Sequence, residues 1–149
     1  MFIVNVEGAI RKDGRWLLIR RGAAEEHAAG TLALVGGKVE TQGAESSILE
    51  LTLRREIAEE VGVSVARDMR YAHSTSFVTD RGAPVVNVVF ACFWESGEAF
   101  AASPDEVAEL VWLTTEEALR RPDVPEWTRD SLKRAEEALV GLNGQAGRL

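Results

Sequence analysis

An α+β domain, with helices layered on a mixed β-sheet as an α/β/α sandwich, is what the sequence predicts. Three observations carry that expectation: extended apolar runs recur from Phe2 to Leu113, a strongly periodic helix interrupts them at Ile48 to Val61, and further helical pattern closes the chain. The 149 residues fit one compact domain. Hydrophobic residues make up 46% and charged ones 28%, which excludes disorder, collagen and coiled coil as descriptions of the whole chain.

Each element has its own warrant. Phe2 to Ile10 and Arg15 to Arg20 flank Lys12-Asp13-Gly14, the pattern of a β-hairpin. Thr31 to Val35 reads as a short strand stopped by Gly36-Gly37. The helix at Ile48 to Val61 has Ser46 and Ser47 as candidate N-caps and Gly62 as its stop. Two β-branched and aromatic runs, Met69 to Thr79 and Val85 to Trp94, are joined by a hairpin loop at Asp80 to Pro84. A strand at Glu109 to Leu113 precedes Thr114-Thr115-Glu116-Glu117, a capping box, and Pro125 to Leu139 reads as a terminal helix. Residues 1–140 are thus expected to form the domain and 141–149 a flexible tail.

Charge and cysteine usage narrow the function classes. A net charge of -7 and a pI near 4.9 argue against a nucleic-acid polymer as main partner. Cys92, the single cysteine, lies in an apolar run and reads as a buried, inert thiol. No apolar run reaches the roughly 20 residues of a membrane span, and Asn5 and Glu7 interrupt the N-terminus where a signal peptide is continuously apolar, so the expected location is cytoplasmic.

The chemistry concentrates in the last turns of the first helix. At about 100° per residue, Glu56, Glu59 and Glu60 fall within an arc of roughly 100° and project toward one small volume. Their mutual repulsion, opposed further by the helix dipole, calls for compensation. A divalent cation such as Mg²⁺ or Mn²⁺ would supply it, since both prefer carboxylate and carbonyl oxygens. The apolar row Leu49, Leu53, Ile57, Val61 runs beside the acidic arc, which places the carboxylates next to the core. Taken alone, an acidic helix is more often a solvated face with Arg54 and Arg55 as counter-ions.

The upstream string changes that balance. Gly36-Gly37-Lys38-Val39-Glu40 precedes the helix, and Arg55-Glu56-Ile57-Ala58-Glu59-Glu60-Val61-Gly62-Val63 matches every defined position of the C-terminal half of the Nudix box, so the chain resembles Nudix hydrolases. Gly37 matches the leading glycine. Gly37 to Arg55 spans 18 positions where the family pattern has 14, which puts four extra residues in the loop and Ser47 in the slot of the isolated glutamate, with Glu45 or Glu50 as candidate substitutes. Arg15 to Arg21 and Val107 to Leu119 also resemble family elements, so the likeness covers roughly Phe2 to Leu119.

The resemblance implies a Nudix-type sandwich and metal-dependent hydrolysis of a diphosphate linkage in a nucleoside diphosphate derivative, by water attack at phosphorus. It implies Glu56, Glu59 and Glu60 as metal ligands with the Gly37 carbonyl, where a glycine lets the backbone approach an ion closely. Arg55 would orient the box and Gly62 close its helix. The general base is one of the helical glutamates, or Glu106 or Glu109 before the late strand. Arg20 and Arg21 end a strand directed at the site, and one of them is expected to bind phosphate. The rival reading is a nucleotide-binding or regulatory module that kept the fold and lost the chemistry. A homodimer is compatible with the sequence but not specified by it.

The remaining candidates have plainer readings. Phe77, Trp94 and Tyr71 can stack on a base but are expected in the core, as are Trp16 and Trp112. His27 and His73 lack partners at ligand spacing. Asn87, polar inside an apolar strand, either reads a base edge or satisfies a local backbone group.

Overall fold

The computed structural model describes residues 1–23, 28–41 and 43–146, with side chains described as far as Val140. Eight strands and three helices follow one another: β1 (Ile3–Lys12), β2 (Arg15–Arg21), β3 (Leu32–Ala33), β4 (Val35–Lys38), α1 (Ile48–Val61), β5 (Ser64–Val65), β6 (Arg70–Val78), β7 (Pro84–Ser96), β8 (Val107–Leu113), α2 (Thr115–Arg120) and α3 (Glu126–Ala146). The sheet is mixed. β1 runs parallel to β7 from Ile3↔Val85 to Arg11↔Phe93, while every other pairing among the described residues is antiparallel. β1 pairs with β2 only at the hairpin, Arg11↔Trp16 and Lys12↔Arg15, and with β4 at Asn5 to Gly8.

Alternation along the strands feeds two cores, one on each face. Leu17 and Ile19 of β2, with Val6, Ile10, Phe90 and Cys92, pack against Leu53, Ile57 and Val61 of α1. Trp16 and Leu18, with Ala9, Val89 and Ala91, pack against Leu132, Ala135 and Leu139 of α3. The α/β/α sandwich expected from the sequence is therefore present. Burial pushes the Cys92 thiol up to about 12, as suits an inert core cysteine.

Several local expectations need correction. Gly36 and Gly37 do not stop a strand; they lie inside β4, opposite Glu7 and Val6 of β1. Ser47, at the N-cap of α1, adopts a left-handed conformation (φ 55°) and makes no side-chain cap bond, so neither serine reading of the cap is realised by it. The C-terminal stop is as expected: Gly62 takes φ 68°, and its N–H donates to the Ala58 carbonyl. Both bonds of the Thr114–Glu117 capping box are present. The terminal helix runs on to Ala146, beyond Leu139. Tyr71 and Phe77 are not core residues, being 59% and 36% exposed: β6 is bonded to β7 alone, Tyr71 touches the α1-side core only by an edge contact with Phe90, and Phe77 lies near the far end of β6. Trp16 is fully buried and Trp112 and Trp94 pack against the α1-side core. No described helix is long and apolar enough to cross a membrane.

Candidate active site

α1 presents its carboxylates to the glycine pair of β4. Glu60 is 7% exposed and takes the Gly36 N–H, whereas its Oε2 is buried with no hydrogen-bond partner. Burial is the main reason its carboxyl is pushed up to about 8, and the nearby charges of Glu56 and Glu106 push the same way. Glu56 is half-buried; burial raises its pKa, and Glu59 and Glu106 add to the rise while Arg55 offsets it. Glu59 is exposed, its carboxylate 3.9 Å from Arg55 Nε, and the same guanidinium reaches Glu56 at 3.4 Å. Arg55 thus bridges two of the three box glutamates.

The late loop closes the site. The Ser103 hydroxyl donates to the Glu59 carbonyl and the Ala102 N–H to the Glu60 carbonyl, which anchors the segment leading to Glu106 on the end of α1. The Gly22 N–H donates to the Glu106 carbonyl and ties that segment to the end of β2. Glu106 therefore belongs with the nest. Glu109 does not join it: it faces Arg20 across the β2–β8 ladder, 3.2 Å away.

Arg20 is committed elsewhere. Its guanidinium donates to the Gly30 carbonyl, to Glu109 and to Asp123, and these carboxylates raise its pKa while the Asp123 carboxyl is held far below the usual range, first by Arg121 and then by Arg20. Arg21, beyond an irregularity in the ladder, lies close enough to Glu7 for its charge to act on that carboxyl. Glu45 is exposed, and Glu50 is half-buried in the first turn of α1. His73 is buried, with Nε2 3.0 Å from the Ser131 hydroxyl, and burial lowers its pKa, so it is a neutral link between β6 and α3. His27 lies outside the described residues.

Asn87 bonds to two side chains. It accepts from Asn5 Nδ2 and donates from Nδ2 to Glu7 Oε1, each at 2.7 Å. Burial raises the Glu7 carboxyl against the opposing effects of Asn87 and Arg21. Sequence reasoning missed Asn5 and Glu7; their signal was two polar residues at period two on an otherwise apolar strand, the same spacing that put them on one face.

The glycine pair decides how the nest is built. A Cβ on Gly37 would stand 2.4 Å from Glu56 Cδ, so only glycine lets this carboxyl lie against the strand. A Cβ on Gly36 would stand 2.1 Å from the Val6 carbonyl oxygen. The two substitutions are expected to differ in kind. Gly37→Ala displaces the mobile end of Glu56, leaving melting nearly unchanged while turnover falls by about 10²-fold. Gly36→Ala must shift β1 backbone and is expected to lower Tm by several degrees. Thermal melts and steady-state rates on both variants check this, and full activity in Gly37→Ala would sink the positional argument.

As to a metal, no three described His, Cys, Asp or Glu side chains already form a cage. The donor chemistry nevertheless fits a hard cation: an orphaned buried carboxylate oxygen on Glu60, a second carboxyl in Glu56, and a glycine backbone without side-chain obstruction.

A helix whose carboxylates face a glycine strand, within an α/β/α sandwich on a mixed sheet, defines the Nudix class. Residues 3–135 match the NUDIX domain model, and the chain belongs to the Nudix hydrolase family. It is 37% identical over 122 residues to the Nudix hydrolase YfcD of Escherichia coli, covering 80% of this chain and 62% of that one. It is 32% identical over 117 residues to the NAD-capped RNA hydrolase NudC of Mycobacterium tuberculosis, covering 78% and 34%. The chain thus spans about three fifths or less of the length of these curated relatives. Among solved structures, a MutT NUDIX hydrolase from Burkholderia pseudomallei superposes with a TM-score of 0.75 at 31% identity, covering 90% of this chain and 98% of that one.

Proposed function

We propose that this chain hydrolyses a diphosphate linkage in a nucleoside diphosphate derivative, using Mg²⁺ or Mn²⁺ and water attack at phosphorus. The observation that carries the reading is the buried Glu60 oxygen without a partner, beside Glu56 and Glu106. Such an arrangement is costly to the fold by itself and has a use once a cation is held. Glu56, Glu59, Glu60 and the Gly37 carbonyl would hold the ion. When bound, it neutralises the diphosphate and lowers the pKa of water.

The chain's own residues supply the rest. Glu106, on the loop fixed by Ser103 and Gly22, is our choice of general base, accepting a proton at its carboxylate; Glu109, paired with Arg20, is not. Arg55 holds the Glu56 and Glu59 side chains in register. Phosphate binding at the end of β2 is assigned to Arg21, whose charge acts on Glu7, the residue paired with Gly36 beside the nest; Arg20 pairs with Asp123 and Glu109. Accordingly, Arg21→Ala is expected to raise KM about tenfold, whereas Arg20→Ala is expected to lower Tm by a few degrees with KM unchanged. Steady-state kinetics and melts on the pair check the division, and a raised KM in Arg20→Ala alone would reverse it.

The decisive experiment is phosphate and nucleotide release from a panel of nucleoside triphosphates, sugar nucleotides and dinucleoside polyphosphates, with Mg²⁺ or Mn²⁺ and a Glu60→Gln control. Turnover lost in the control supports the hydrolase. Binding of the same compounds without turnover overturns it in favour of a nucleotide-binding module.

A further inference from the structure

β6 forms one border of the sheet. It is bonded to β7 on its inner side, and among the described residues no strand is bonded to its outer side. Borders of this kind are usually blunted by charge, by proline or by a bulge. From Tyr71 to Thr79, however, the chain has no Asp, Glu, Lys, Arg, Pro or Gly. The irregularity of β6 lies between Tyr71 and His73, upstream of Ser74 to Val78, five consecutive residues that are exposed whichever face they point to.

The hairpin fixes which backbone groups face outward. The Thr79 N–H donates to the Ala83 carbonyl, so alternate residues back along β6, Phe77 and Thr75, turn their amides toward β7, and Ser74, Ser76 and Val78 turn theirs to the outer side. Val78 stands opposite Pro84, which has no N–H to offer, as this parity requires. Laid antiparallel on itself about Thr75, the segment is self-complementary. Ser74 of one copy then stands opposite Ser76 of the other, both with outward amides, and Thr75 meets its own twin on the two-fold axis. Arg70, at the start of the strand, lies level with the opposite charge of Asp80 in the turn of the second copy.

We propose that a second copy of this chain docks on the outer edge of β6, antiparallel about Thr75, so that two sheets join into one. The two Ser74–Ser76 pairs supply about four backbone hydrogen bonds, and Phe77 and Val78, both exposed in the single chain, lie along the joint. Charge selects the occupant. The segment itself is neutral and offers nothing to a strongly acidic or basic partner, whereas the one charged contact the docking creates, Arg70 with Asp80, is supplied twice by the chain itself. Contact through a neutral strand also keeps the acidic remainder of two chains of net charge -7 apart.

The test is sedimentation equilibrium of the full chain between about 1 and 100 μM, where a dimer is expected. Ser76→Pro removes an outward N–H and leaves the bonds to β7 in place, and is expected to weaken the dimer about tenfold or more. Thr75→Lys keeps every backbone bond but sets two ammonium groups opposite each other on the axis, and is expected to weaken it as well; it decides the matter should Ser76→Pro fail to fold. Thr75→Cys is expected to link to its twin under mild oxidation, whereas Ser74→Cys, out of register with its own twin, is not. Cys92 is buried and takes no part. A monomer throughout the concentration range, a dimer that either folded variant leaves intact, or a dimer in which Thr75→Cys forms no link overturns the proposal. The interface stands or falls independently of turnover, so its failure leaves the hydrolase reading untouched.

Discussion

Glu60→Gln is expected to lower kcat by about 10²- to 10⁴-fold while the protein stays folded. The side chain keeps its volume, and its amide can still sit at the end of the Gly36 N–H. What it loses is the negative charge at a buried oxygen that has no protein partner. Glu59→Gln is expected to lose activity by a smaller factor, because Glu59 is exposed and its charge is partly matched by Arg55. Steady-state rates with saturating Mg²⁺, alongside circular dichroism of each variant, check the order. Wild-type turnover in well-folded Glu60→Gln would remove the carboxylate nest from the chemistry altogether.

Stability of the metal-free protein is expected to fall as pH rises from about 5 to 9. The sign follows from Glu60, whose folded pKa is raised from 4.5 to about 8. Below pH 4.5 the carboxyl is protonated in folded and unfolded chains alike; above it the unfolded chain ionises first, so the folded state binds the extra proton and loses stability until pH passes about 8. Glu56, raised in the same direction, adds to the slope. The loss is of the order of a few kcal/mol at most, which corresponds to several degrees of Tm. Glu60→Gln should flatten the profile and melt above wild type at pH 9, and millimolar Mg²⁺ should flatten it without mutation by giving the ionised group a partner. A flat metal-free wild-type profile would mean that Glu60 is solvated.

Local pattern made much of this legible. α1 was readable to the residue because its apolar row, its glycine stop and its acidic arc all have helical period, and the hairpin of β1 and β2 was marked by its own turn. What depends on a distant strand was not. The Gly36-Gly37 pair looks like a break until β1 is laid beside it, and β5, two residues long, has no periodicity to display. Arg20 and Arg21 are equivalent in sequence, and the partners that hold Arg20, Asp123 and Glu109, lie some hundred residues on. Tyr71 and Phe77 read as core because strand aromatics usually are; their exposure follows from β6 having a neighbour strand on one side only and from how far the helices cover it, which no residue near them encodes. The same holds for Glu7, whose partner Asn87 is eighty positions away.

The parallel pairing of β1 with β7 has a consequence for how the chain comes to be folded. Ile3 meets Val85, so the centre of the sheet cannot close until more than half of the polypeptide exists. Until then β1 can offer one edge to the β2 hairpin and to β4, but its other edge has no strand to pair with, and loop closure across that span is entropically slow. On the ribosome α1 is therefore synthesised before β7, the strand that completes the sheet it packs on, and the waiting β1 edge is the place where a chaperone, or a neighbouring nascent chain, would first take hold.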